Sequence, residues 1–239
     1  MKSAPLNLLA FDTSTEQLSV AVQRGADGLC LTHQGPGGAQ ASATLIPAVQ
    51  ALLAQAGLAL GELHAIVFGR GPGSFTGLRT ACSVAQGLAW GAGVPVLPVD
   101  TLLAVAEAAR QSHGATQVLA LLDARMGEVY HAGYAWSPAA GWQALGEVAV
   151  GAPENLILPG AGTVLAGNAW VPYAGRLPPA LHALAHVEAL PTAEALLALA
   201  PALLAAGRAV PADQALPLYI RDKVAHTAAE RAAARASAA

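Results

Sequence analysis

Three kinds of residue in this 239-residue sequence could do chemistry. The first is a glycine loop, "GRGPGSFTGLR", over residues 69–79, set between the apolar run "HAIVF" and a small-residue segment from Phe75 to Trp90. A strand, a glycine-rich loop and a helix start form a place where backbone N–H groups converge and the helix dipole favours an anion. Two phosphate fingerprints fail, however. Gly77 is followed by Leu78 and Arg79 rather than Lys and Ser/Thr, and Gly71, Gly73 and Gly77 are spaced one residue too widely for G-x-G-x-x-G. The loop therefore reads either as an anion cradle or as a tight turn that brings the helix close to the sheet.

The second kind is acidic. Asp12 and Asp123 each end an apolar run, and two such acids across a cleft could hold a hydrated magnesium. Asp also caps turns, and "DTST" at 12–15 is well suited to that. The third kind is a histidine pair, His182 and His186, whose spacing on a helix would put both rings on one face. It lacks the Glu of H-E-x-x-H, and no third ligand lies nearby in sequence. Cys30 and Cys82 have no partners that suggest a nucleophile, and Ser74 does not sit in G-x-S-x-G.

The elements that must position these residues are legible from periodicity. Residues 7–11, 17–24 and 29–34 read as strands with short turns, which favour an antiparallel meander. A helix is expected over 42–56, with Pro47 near its start, then a strand at 64–68, a helix at 75–90, a strand at 94–99 and a helix at 101–111. This β-β-β-α-β-α-β-α order predicts an α/β unit with a mixed five-stranded sheet. A second half follows with strands at 117–124, 128–136 and 142–150, a strand entering a loop at 163–170, and a helix at 192–207 that Pro201 is expected to break. Strand, acid, turn, strand, strand occurs twice, so a duplicated two-lobe fold is expected. The first lobe is assigned to 1–112, with 213–239 packing back on it, and the second to 113–212. The segment from 217 reads as a strand-like piece followed by an Ala-rich helix.

On the 75–90 helix, Gly77, Ala81, Ala85 and Ala89 make a small-residue stripe, suited to close approach by the sheet or by a partner helix. Composition limits the function. Hydrophobic residues are 54% and charged residues 11%, enough apolar material for a packed core. Net charge is −3, and the only local basic bias is Arg221, Lys223, Arg231 and Arg235, so direct gripping of nucleic acid is not expected. Two isolated cysteines point to a reducing compartment. The opening "MKSAPLNLLAFDTST" does not read as a signal peptide. The apolar stretch over 80–106 is interrupted by Gly91, Gly93, Pro95 and Pro98, so no membrane helix is expected.

Four blocks carry a family resemblance. "GPGSFTGLR" (71–79), with "AQGLAWGAGVPVLPVDTL" behind it, "LLAFDTSTEQLSVAV" (8–22), "LLDARMGEVYHAGY" (121–134) and "PLYIRDKVA" (217–225) resemble the TsaB (YeaZ) family in order across nearly the whole chain. One departure is Ala169, where a second glycine after Gly167 is common; it argues against nucleotide contact by the second lobe. The resemblance implies a two-lobe actin/Hsp70/sugar-kinase-like fold. It implies an accessory, cytoplasmic subunit in forming threonylcarbamoyladenosine in tRNA next to the anticodon. The implied partners are a TsaD-type transferase and a TsaE-type ATPase, with a homodimer when the chain is alone and tRNA met only indirectly. The alternative function is an independent ATP-binding phosphotransferase or ATPase of the same fold.

TsaD-like relatives carry a metal-binding H-x-x-x-H pair after the equivalent strand. Those positions fall here on Thr101 and Val105, neither a good metal ligand. No catalytic or metal residues are therefore expected, and no cofactor is required on this chain. Gly71, Gly73, Ser74, Thr76, Gly77 and Asp12 form a degenerate nucleotide or phosphate loop, with at most weak ATP or ADP binding expected. The partner interface is expected at Leu45, Val49, Leu52, Gly77, Ala81, Ala85 and Ala89.

Overall fold

In a computed structural model, residues 5–221 are described. The first sheet is built from β1 (Leu8–Asp12), β2 (Gln17–Arg24), β3 (Leu29–Pro36), β4 (Ala65–Gly71) and β5 (Val96–Asp100), in the order β3-β2-β1-β4-β5. The meander β1-β2-β3 is antiparallel, while β4 and β5 extend it in parallel. The parallel additions require crossovers, supplied by α1 (Ala41–Ala56) and α2 (Phe75–Ala92). Pro47 lies inside α1 and Gly57 closes that helix in the left-handed conformation.

The second sheet contains β6 (Gln117–Arg125), β7 (Glu128–Ser137), β8 (Gly141–Ala144), β9 (Ala149–Gly151), β10 (Val164–Gly167) and β11 (His186–Val187). Its main path is β11-β10-β6-β7-β8. Read from the other edge, this repeats the first sheet strand for strand: two antiparallel pairings, then two parallel ones. The duplication is thus carried by pairing sense rather than by residue identity. It is the two-lobe α/β arrangement of the actin/Hsp70/sugar-kinase type. The strand expected over 142–150 is split into β8 and β9, both of which pair with β7. Between β10 and β11 lie two single-turn helices, α4 (Trp170–Tyr173) and α5 (Pro179–His182), with a 3-10 turn at Ala174–Arg176 between them.

Helix α3 (Thr101–His113) is shared between the two halves. Ala104 packs in a cluster with Leu8, Val67 and Leu97 of the first sheet. Leu102, Val105 and Ala106 pack with Val118, Ala120 and Ala166 of the second. Helix α6 (Ala193–Ala205) corrects the domain expectation. Although its residues fall within 113–212, Ala193, Leu196, Leu197 and Ala200 pack on Leu8, Ala10, Ala21 and Val67. The reason is coverage: α1 and α2 take one apolar face of the first sheet, and α3 alone is too narrow for the other. Pro201 sits within α6 and does not break it.

The chain after α6 follows the same logic. Val210 bridges the edge strand at Val96, and Ala212 and Ala215 join the first-lobe core. Residues 217–221 form no strand, and Ile220 packs with the second-lobe cluster. The Ala-rich helix expected near the C-terminus lies outside the described residues.

The small-residue stripe is also corrected. Ala81, Ala85 and Ala89 are buried in the first-lobe core together with Leu45, Val49 and Leu52, and Gly77 is buried as well. All seven residues assigned to a partner surface therefore face the chain's own interior. Their apolar or small character is what lets α1 and α2 lie flat on β1, β2 and β4.

Candidate functional site

The loop's glycines are used by the chain itself. A Cβ on Gly77 would come within 1.8 Å of the Thr13 carbonyl oxygen, and one on Gly73 within 2.6 Å of the Ser14 carbonyl oxygen. The β1–β2 turn presses directly on the loop and on the first turn of α2. Hydrogen bonds fix that contact. The Ser74 N–H donates to the Ser14 carbonyl at 2.7 Å, and the Thr13 hydroxyl donates to the Gly77 carbonyl at 2.7 Å. The opening glycine is held from the other side: the Gly71 N–H donates to Thr101 Oγ1 at 3.1 Å. Gly71 has φ +119°, a conformation that glycine adopts readily, and the Gly71–Pro72 bond is cis. The loop is thus a tight-packing turn, and what it holds is the segment 12–15.

Asp12 lies beneath this contact, fully buried at the end of β1. One carboxylate oxygen accepts the Ser14 N–H at 2.8 Å and the Ser14 hydroxyl at 2.6 Å. The other is buried without a hydrogen-bond partner, against Gly69, where a Cβ would lie 1.7 Å away. Burial raises the carboxyl to about 6, and the two Ser14 hydrogen bonds oppose that rise. Asp12 is a turn cap with one oxygen stranded in the interior.

Asp123 occupies the matching place in the second lobe and also caps its turn. Its carboxylate accepts the Arg125 N–H at 2.7 Å and the Tyr173 hydroxyl at 2.8 Å. Its own N–H donates to Asn168 Oδ1 at 2.9 Å. Asn168 follows Gly167, whose φ of +138° and 1.8 Å Cβ clearance to the Leu121 carbonyl oxygen admit only glycine. Asn168 also spans the lobes, donating to the Glu16 carboxylate at 3.3 Å.

Between the lobes lies a cleft of about 530 Å³. Ser14, Gly73, Ser74 and Phe75 line one side, and Asp123, Arg125, Met126 and Asn168 the other. Of the residues assigned to the loop site, Gly73 and Ser74 reach the cleft. Gly71 and Gly77 are consumed in packing, Asp12 is sealed beneath, and exposed Thr76 is not part of the lining. Sequence reasoning missed Asn168 and Arg221 as cleft residues. The signals available were the polar residue after the obligatory Gly167 and the lone Arg in the "PLYIRD" block.

The two histidines do not share a helix face. His182 ends α5 and His186 begins β11. Both rings instead pack on Trp170, the first edge-on at 5.6 Å between centroids and the second stacked at 4.6 Å. Among the described residues, no group of three or more His, Cys, Asp or Glu side chains converges as a metal site.

This geometry can be set beside known proteins. The family model described as TsaD, tRNA N6-adenosine threonylcarbamoyltransferase, matches residues 35–166. A curated Escherichia coli K12 protein, tRNA threonylcarbamoyladenosine biosynthesis protein TsaB, is 37% identical over 225 residues, covering 92% of this chain and 96% of that one. The chain belongs to the TsaB family. Among solved structures, YeaZ from Pseudomonas aeruginosa superposes with a TM-score of 0.83 at 41% identity, over 90% of this TsaB-family chain and 99% of the other. A protein described as uncharacterized with similarity to peptidase YeaZ, from the same organism, gives 0.84 at 42% identity, over 90% and 100%. In this TsaB-family chain Thr101 is buried as the hydroxyl that holds Gly71, and Val105 is buried in the second-lobe core.

Proposed function

We propose that this chain is a non-catalytic subunit in the formation of threonylcarbamoyladenosine in tRNA, scaffolding and activating a TsaD-type transferase. The observation that carries this reading is the fate of two positions. Where the transferase relatives are expected to hold their metal-binding histidines, Thr101 supports the glycine loop and Val105 fills the core. The loop beside them has spent Gly73 and Gly77 on the β1–β2 turn and Gly71 on the segment at Leu218, which supports weak ATP or ADP binding at most and no cofactor requirement.

The partner surface is moved one helix face outward from the buried stripe. Ser83, Gly87 and Gly91 on α2 and Ala43, Ile46, Pro47 and Gln50 on α1 are exposed and carry no charge. Such a face suits close helix–helix packing, with the transferase or, in its absence, with a second copy of this chain. A TsaE-type ATPase completes the assembly, tRNA is gripped by the partners, and the site of action is the cytoplasm. No described helix is long and apolar enough to cross a membrane.

The test is reconstitution of tRNA threonylcarbamoylation from purified components, with and without this chain. Dependence on the chain, together with no ATP turnover by the chain alone, is the expected result. ATP hydrolysis or phosphoryl transfer by the isolated chain would favour the alternative, an independent phosphotransferase or ATPase. The relative described as similar to a peptidase suggests a third assay, peptide hydrolysis. The packing of His182 and His186 on Trp170 supports a negative result there.

A further inference from the structure

We propose that residues 217–221 are an interlobe strap that sets the width of the cleft, with Arg221 as its latch. The segment crosses the cleft mouth and is fastened at both ends. On the first lobe, the Leu218 N–H donates to the Arg70 carbonyl at 2.7 Å. The Leu218 carbonyl oxygen sits 2.6 Å from where a Cβ on Gly71 would be, so that glycine lets the strap lie against the loop. Tyr219 then packs on Phe75 at 5.5 Å between centroids, and its hydroxyl accepts from Arg79 Nε at 3.1 Å. The Arg79 guanidinium lies 3.9 Å above the Phe75 ring, so the first turn of α2 is part of the anchor.

On the second lobe, Ile220 packs with the core cluster. Arg221 donates to the Ala124 carbonyl at 3.0 Å and pairs with the Glu128 carboxylate, both at the β6–β7 turn. The Arg221 side chain is only 12% exposed, so this ion pair is shielded on one side and stronger than an open surface pair. Leu218, Tyr219, Ile220 and Arg221 all line the cleft. At the rim a second tie among the described residues joins Glu16 to Asn168, longer at 3.3 Å and exposed. Helix α3 is shared by both cores at the base. The arrangement is a hinge at α3 and a latch at the mouth: while the first-lobe anchor holds, separating the lobes requires Arg221 to leave Glu128 and Ala124. The strap is independent of the transferase reading, because it concerns this chain alone.

The experiment is hydrogen exchange by mass spectrometry on the full chain, comparing wild type with Arg221→Met and Glu128→Gln. A charge-assisted hydrogen bond is worth about tenfold in an opening equilibrium. Both variants are expected to speed exchange on the order of tenfold at two places: the β6–β7 turn, and residues 70–79 with 215–219. Arg221 touches neither first-lobe segment. Strands β1 and β6 should stay protected, and Arg221→Lys should fall between wild type and Arg221→Met. Acceleration confined to 124–128 would make Arg221 a local tie and overturn the proposal. So would unchanged exchange, or a uniform rise across the whole chain. Glu128→Gln leaves the strap sequence intact, so it decides the matter if Arg221→Met does not fold.

Discussion

Asp12→Asn should gain stability relative to wild type as pH rises, by about 2 kcal/mol between pH 4.5 and pH 7.5. The carboxyl is fully buried, with one oxygen bonded twice to Ser14 and the other unpartnered. Asn keeps the accepting oxygen and removes the charge, but it sets an amide NH2 at the stranded position, where an unpartnered buried donor costs about 1–3 kcal/mol at every pH. Below pH 3.8 the acid is protonated in both the folded and the unfolded chain, and its ionisation costs nothing. As pH rises, the unfolded chain releases its proton first, while the folded chain holds it until about 6. Stability is therefore lost between those values and the loss is constant above them. The gap between 3.8 and about 6 corresponds to about 3 kcal/mol at pH 7.5, and to about 1 kcal/mol at pH 4.5. For a chain of this size the larger figure is worth on the order of 6–12 °C in Tm before the amide's own burial cost is subtracted. The assay is urea unfolding of wild type and Asp12→Asn at both pH values. A difference between variant and wild type that does not grow from pH 4.5 to pH 7.5 would refute the reasoning and would mean that the stranded oxygen has a compensating partner.

Gly77→Ala should cost at least about 3 kcal/mol, because its Cβ meets the Thr13 carbonyl oxygen at 1.8 Å; a near-neutral result in urea unfolding would contradict the tight-turn account of the loop. Ala85→Arg should unfold the first lobe, since Ala85 is fully buried, whereas Gly87→Arg should leave circular dichroism and Tm nearly unchanged and weaken only the complex with the transferase. Met126 holds φ 57° ahead of Gly127 at φ 78° in the β6–β7 turn, where Asn is preferred. Met126→Asn should therefore raise stability by about 1 kcal/mol in the same unfolding assay.

The first sheet was legible because its strands alternate or run apolar between clear turn signals; 17–24 is a strand over those same residues. The second lobe was less so. Its third strand splits where residues 145–148 leave the ladder, and its crossover is two single-turn helices with weak periodicity. Sequence order places α6 with the second lobe, yet it packs on the first, because order says nothing about which sheet face remains uncovered. The stripe of Ala81, Ala85 and Ala89 was recognised as a packing face, but small residues alone do not say whether the sheet or a partner meets them. Asp12 was found, and the turn-capping reading of it was the one the geometry favours. Its orphan oxygen depends on Gly69, fifty-seven residues away, and no local pattern encodes that. In the sequence the strap is visible only as the "PLYIRD" block, because its two anchors lie in different lobes.

If this chain works as proposed, by binding a TsaD-type transferase rather than by chemistry of its own, the two proteins should form a stable complex. The most direct test is the solution mass, by size exclusion with light scattering, of this 23.9 kDa chain mixed with its cognate transferase. The expected result is a stable mixed complex, lost in Gly87→Arg and kept in Asp12→Asn. Two unchanged masses, with or without ATP, would contradict it.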